Sequence, residues 1–200
     1  MTTEAHSSDL DTTDLFLGNV LGAFALGMSD KMDEAVCGAT SLSSSSCYAI
    51  VQIGTEIDCS IEELRRMLAL EHSSVVRLLD KLERNNLVQR LRGLGSDKRQ
   101  VTLRLTEEGE KLFVKILDAR QAVIDRTLAP LDAAEKSALT KALEKMMPQV
   151  VMPGDDQHYI CRLCDLEVCP QGNCPVNLAH PGYEEFPAQA YRNAARLKHR

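Results

Sequence analysis

The run from Ser60 to Gly109 constrains this chain more than any other part, because three local signals follow one another with few spare residues between them. Ser60 followed by Ile61, Glu62 and Glu63 is a capping box: the serine oxygen accepts an orphan backbone N–H of the first turn, and Glu63 reaches back to the serine N–H. The helix that begins there carries Leu64 and Met67 and runs to about Leu68. After a break at residues 69–72, a second helix sets Val75, Leu78, Leu79 and Leu82 at i, i+3, i+4 and i+7, the spacing of one buried face. Asn85-Asn86 closes it, since asparagine tolerates the left-handed conformation in which many helices end. LVQRLR (87–92) and QVTLRL (100–105) are rich in β-formers and flank GLGSDKR, a flexible tip ending in Asp97, Lys98 and Arg99. Two short helices followed by a hairpin with a cationic tip predict a winged helix-turn-helix.

The outer face of the second helix is built for an anionic partner. His72, Ser73, Ser74, Arg77, Lys81 and Arg84 place small hydroxyls at its N-terminal end and cations one turn apart behind them. Such a face suits a major groove, with the hydroxyls near the backbone and an arginine able to donate two bonds to guanine. The candidate DNA contacts are therefore His72, Ser73, Ser74, Arg77 and Lys81 on the helix, and Arg90, Lys98 and Arg99 on the wing. A net charge of −6 argues against nucleic acid only until it is divided along the chain. Residues 1–60 hold one Lys or Arg against nine Asp and Glu, whereas residues 61–104 hold ten against six. The positive potential is thus concentrated where the winged motif lies.

The stretch SIEELRRMLALEHSSVVRLLDKLERNNLVQRLRGLGSDKRQVTLRLTEEG resembles the DNA-binding core of the multiple-antibiotic-resistance regulator (MarR) family. That family's wing is marked by Asp-x-Arg and then by a strand ending in Leu-Thr-x-x-Gly, here Asp97-Lys98-Arg99 and Leu105-Thr106-Glu107-Glu108-Gly109. With flanking helices the resemblance covers about residues 10–150. It implies a homodimeric transcriptional regulator on a palindromic double-stranded DNA operator; a repressor is expected, with a small-molecule or redox effector. It also makes Cys37, in the N-terminal helical region, a candidate peroxide sensor. The chain departs from the family at Asn86, where glycine is usual, and at Glu71, where a serine-like cap is usual.

With 4% aromatic residues and no tryptophan, the core must be built from aliphatic side chains and methionine, a mix suited to packed helices. The fold class expected is mainly α, a winged helix-turn-helix with a helical dimerisation lobe and a small β-hairpin wing. Residues 10–40 form the N-terminal dimerisation segment, with its helix in residues 12–35, and 41–106 the DNA-binding domain. Residues 107–150 carry Leu112, Phe113, Ile116, Leu117, Val123 and Ile124, a surface too wide for one small lobe, then a second capping box at Asp132 and Glu135 and a stripe of Leu139, Leu143 and Met146. These helices are expected to pair with their copies.

Residues 151–200 form a cysteine-rich tail that begins after a linker, MPGDDQ (152–157). Cys161, Cys164, Cys169 and Cys174 follow a C-x2-C-x4-C-x4-C spacing, with Pro170 and Pro175 after the last two. Four thiols this close invite oxidation unless they hold a metal. Short successive spacings and Cys-Pro pairs lie nearer to iron–sulfur loops than to zinc ribbons, which separate two C-x2-C knuckles by a long gap. An iron–sulfur cluster is placed ahead of zinc, with a dithiol redox switch third. His158 and His180 flank the cluster, and Cys47 reads as a small buried hydrophobe.

LFLGNVLGAFALGM (15–28) is too short to cross a bilayer and follows an acidic start, so a cytoplasmic protein is expected. No nucleophile–base–orienter set and no phosphate loop is present, and an enzyme is not expected. The alternative to a regulator is a metal-binding electron-transfer or interaction protein that uses the winged fold as a scaffold.

Overall fold

A computed structural model describes residues 12–55, 59–92, 101–151, 157–165, 168 and 174–179. The elements run α1 (Thr12–Thr40), α2 (Ser44–Thr55), α3 (Ile61–Met67), α4 (His72–Arg84), β1 (Val88–Arg92), β2 (Val101–Leu105), α5 (Glu107–Leu128) and α6 (Ala133–Met146). A 3-10 turn at Met147–Gln149 and two one-turn helices, α7 (Gln157–Ile160) and α8 (Pro175–Ala179), complete the described chain. It is mainly helical, with one antiparallel pair of strands whose register runs from Val88↔Leu105 to Arg92↔Val101.

The local signals are realised atom by atom. Ser60 Oγ accepts the Glu63 N–H at 3.2 Å while the Ser60 N–H donates to Glu63 Oε2 at 2.7 Å, and Asp132 with Glu135 repeats the arrangement at the start of α6. Asn86 adopts φ 54°, the left-handed geometry that glycine takes without steric cost. Glu71 stands at the head of α4 in extended conformation but its side chain makes no capping bond.

The Leu-Thr-x-x-Gly signature has a packing reason. Thr106 accepts the Gly109 N–H at 3.1 Å to cap α5, and its own N–H donates to the Leu87 carbonyl at 3.1 Å. This brings α5 so close to the end of α4 that a Cβ on Gly109 would sit 2.0 Å from the Leu87 carbonyl oxygen. Glycine is required there by that approach.

One core runs through these elements. Ile50 and Ile53 of α2, Leu64 of α3, Val75, Leu79 and Leu82 of α4, Leu103 of β2 and Ile116 of α5 are all fully buried in it. Val36 belongs to the same core, so α1, which ends at Thr40, contributes its C-terminal part to the winged lobe. Cys47, at 0% exposure, is the small buried hydrophobe expected.

The outer helices differ from expectation in how they are covered. Much of the apolar surface of α5 is covered within the chain, by α1 and α2: Ile116, Leu117 and Val123 are buried, and Phe113 packs against Gly54. Instead, the N-terminal half of α1 exposes Leu15, Phe16, Leu17, Val20, Leu21, Phe24 and Leu26, and α6 buries no residue at all. Among the described residues no helix is long and apolar enough to cross a membrane.

Candidate nucleic-acid interface and thiol tail

The second helix of the motif, α4, is amphipathic in a way that fixes its direction. Val75, Leu79 and Leu82 are fully buried and Leu78 packs against the same core, so the opposite side must face solvent. His72, Ser73, Arg77, Lys81 and Arg84 are exposed or half-exposed there and Ser74 is half-buried. Arg77 Nη2 lies 3.5 Å from Ser74 Oγ, a long contact that leaves the guanidinium at the surface. Arg84 Nε donates to the Asp80 carbonyl at 3.2 Å, which holds it along the helix end.

Arg90 behaves differently from the other candidates. From β1 it donates to Asp80 Oδ1 at 2.9 Å, pairs also with Glu83, and gains further support from its own N–H donating to Glu83 Oε1 at 3.1 Å. The side chain is three-quarters buried and committed to two carboxylates of α4. Its task is to tie the wing to the helix and to neutralise the two acids on the helix that carries Arg77 and Lys81. Neither acid stands out in the sequence, where both read as solvated charges. Lys98 and Arg99, with Asp97, lie outside the described residues.

The thiol tail packs onto this lobe. Leu163 is 8% exposed and joins the main core, and α7 packs against α3. Arg162 stacks over the ring of Tyr48 from α2 at 5.1 Å and over that of Tyr159 at 4.6 Å, and donates to the Tyr159 carbonyl at 2.8 Å. Tyr48 in turn donates its hydroxyl to Asp33 of α1, and burial followed by that carboxylate pushes the phenol up to about 12.

Around the tail's cysteines a second, small core forms from Val151, Cys161, Cys174 and Val176, flanked by half-buried Met147, Ile160, Cys164 and Ala179. The Cys161 thiol hydrogen-bonds with both Cys164 and Cys174, and those contacts together with burial hold its proton on well above the usual thiol range. Cys164 moves the other way, below the usual thiol range, because of its contact with Cys161 and the positive potential of Arg120. Cys169 lies outside the described residues, as do the side chain of His158 and all of His180. Among the described residues no set of three or more His, Cys, Asp or Glu side chains stands preassembled as a metal site. Cys37 is half-buried, with its thiol 3.5 Å from Ser44 Oγ.

Buried apolar back, cationic front and a two-stranded wing define a winged helix-turn-helix protein. The sequence profile of the MarR family matches residues 42–101. The HTH-type transcriptional regulator BilQ of Clostridium symbiosum is 31% identical over 99 residues, covering 50% of this chain and 68% of that one. The chain belongs to the MarR family, whose members are transcriptional regulators and not enzymes. A MarR family protein from Bacillus stearothermophilus shares the fold at TM-score 0.60, with 24% identity over 69% of this chain and 95% of that one. A point mutant of Staphylococcus aureus MepR, solved bound to an oligodeoxyribonucleotide, does so at TM-score 0.51, with 18% identity over 67% of this chain and 97% of that one.

Proposed function

We propose that this regulator binds a pseudo-palindromic operator in double-stranded DNA as a homodimer and represses by occluding the duplex it covers. The observation that carries the reading is the exposed cationic face of α4, with Arg77 and Lys81 free of carboxylate partners among the described contacts while Arg90 neutralises Asp80 and Glu83 beside them. Ser73, Ser74 and His72 sit where the head of that helix meets the sugar–phosphate backbone, and Arg77 one turn further in meets base edges. Lys98 and Arg99 extend the footprint from the wing toward the minor groove.

Homodimerisation is supported by the two apolar surfaces that the single chain leaves uncovered, on the N-terminal half of α1 and on α6. Burying both against a second copy removes an aggregation hazard and sets two winged lobes about a two-fold axis. Half-site centres then fall about one helical turn apart. The test is selection of bound duplexes from a random library, followed by titration at two salt concentrations. The expected result is a palindromic motif bound by a dimer with strong salt dependence; a best site without dyad symmetry, or binding unaffected by salt, would overturn it.

A further inference from the structure

We propose that Cys161, Cys164 and Cys174 are thiolate ligands of a resident thiophilic metal centre that staples the C-terminal tail to the winged lobe. Two independent observations carry this. Cys161 and Cys174, from two separate chain segments, are buried side by side in one small core, and Cys164 packs against it. The lobe in which they meet is also small among the described residues: its helices there are one turn long, and its core there has four buried side chains, of which two are these cysteines. Structures of that size need a disulfide, a metal or a partner. The described cysteines are all free thiols, and of the other staples a metal is the one that soft sulfur donors suit.

The donor set fixes the chemistry. Sulfur ligands select zinc or iron–sulfur clusters and exclude the hard cations that need oxygen. Binding replaces each thiol proton with a metal–sulfur bond and releases the protons to solvent. Full preassembly is not required, because for small cysteine lobes metal binding is itself the last folding step.

The position of the site gives it a consequence. Arg162 and Leu163 lie between the first two ligands, and they are the residues that dock the tail, one on Tyr48 and one in the main core. A metal that holds Cys161 and Cys164 therefore also holds the segment that grips α2 and the core behind α4.

The experiment is metal analysis with ultraviolet–visible spectroscopy of full-length protein purified without oxygen. About one centre per chain is expected. A brown protein with broad visible absorption and acid-labile sulfide identifies iron–sulfur, and a colourless one with stoichiometric zinc by metal analysis identifies zinc; either supports the proposal. Cys164→Ser and Cys174→Ser should lose most of the metal, whereas Cys37→Ser should keep it. Should the tail variants fail to fold, the parent still decides the matter, since its tail thiols should resist a disulfide reagent until a chelator is added. A metal-free parent whose tail thiols react at once even after metal is supplied, or tail variants with undiminished metal, would overturn it.

Discussion

Arg90 Nη1 stands 2.9 Å from Asp80 Oδ1, joining the wing strand to the recognition helix across ten residues of sequence. Because the same guanidinium also pairs with Glu83, its removal leaves two uncompensated carboxylates on α4. Arg90→Ala should cost about 1 kcal/mol of stability, as partly buried charge pairs do, and weaken DNA binding as well. Asp80→Asn combined with Glu83→Gln should restore much of that binding in the Arg90→Ala background. Anisotropy titrations of the three proteins check this, and a failure of the double substitution to recover any affinity counts against charge neutralisation as the role of Arg90.

Arg77 and Lys81 separate base reading from backbone attraction. Arg77→Ala should cost about 1–3 kcal/mol on the preferred operator and relax discrimination among sequences. Lys81→Ala should weaken all duplexes more evenly and reduce the salt slope by about one. Equal binding by parent and both variants would place the interface elsewhere.

Dimer formation should depend on surfaces that the single chain leaves open. Leu139→Glu with Leu143→Glu on α6, or Phe16→Glu on α1, should shift sedimentation toward monomer and reduce operator affinity together while leaving the helical circular dichroism intact. Phe16 is 69% exposed, Leu143 44% exposed and Leu139 partly exposed, and α6 buries none of its residues in the single chain, so neither change removes a fully buried side chain. A monomer with undiminished operator affinity contradicts the two-fold reading.

Burial sets an alkaline limit on stability. The Cys47 thiol is raised from 9.0 to about 11, chiefly by desolvation, and Tyr48 from 10.0 to about 12, by burial and then by Asp33. Between those values the unfolded chain gives up protons that the native chain keeps, so stability is full below about pH 9 and falls as pH rises through the window. For Cys47 the loss is on the order of 2 kcal/mol by pH 11. Urea unfolding at about pH 8 and about pH 10.5, either side of the first of these transitions, reads it directly. Cys47→Ala should be less stable at the lower pH but lose less between the two; an identical loss would assign the effect to other groups.

Leu163 tests whether the tail is an appendage or part of the lobe. Leu163→Ala should lower the stability of the winged core by about 2–4 kcal/mol, the usual cost of a cavity. Arg162→Ala removes the stacking on Tyr48 and should cost about 1 kcal/mol. Hydrogen exchange should rise in α7 and in the facing part of α3 in both variants. An unchanged unfolding transition for Leu163→Ala would make the tail independent.

Features that depend on bonds within a few residues were legible in the residue order. Both capping boxes, the left-handed end of α4 at Asn86, the buried face of Val75, Leu79 and Leu82 and the two wing strands are relationships between near neighbours, and each stands where it was expected. The exposed cations of α4 were legible for the same reason, since a helix with one buried face leaves no choice for the other. Which charges and faces meet across the chain follows from the packing of distant segments. Nothing near Arg90 in sequence reveals that it neutralises Asp80 and Glu83 on another element, and nothing near Gly109 reveals the Leu87 carbonyl that excludes a side chain there. The same holds for α5, whose wide apolar surface is largely covered by α1 and α2 of its own chain, and for Leu163, which brings the tail into the main core. Apolar burial is non-directional, so a stripe states that it must be covered, and only the packed chain states by what.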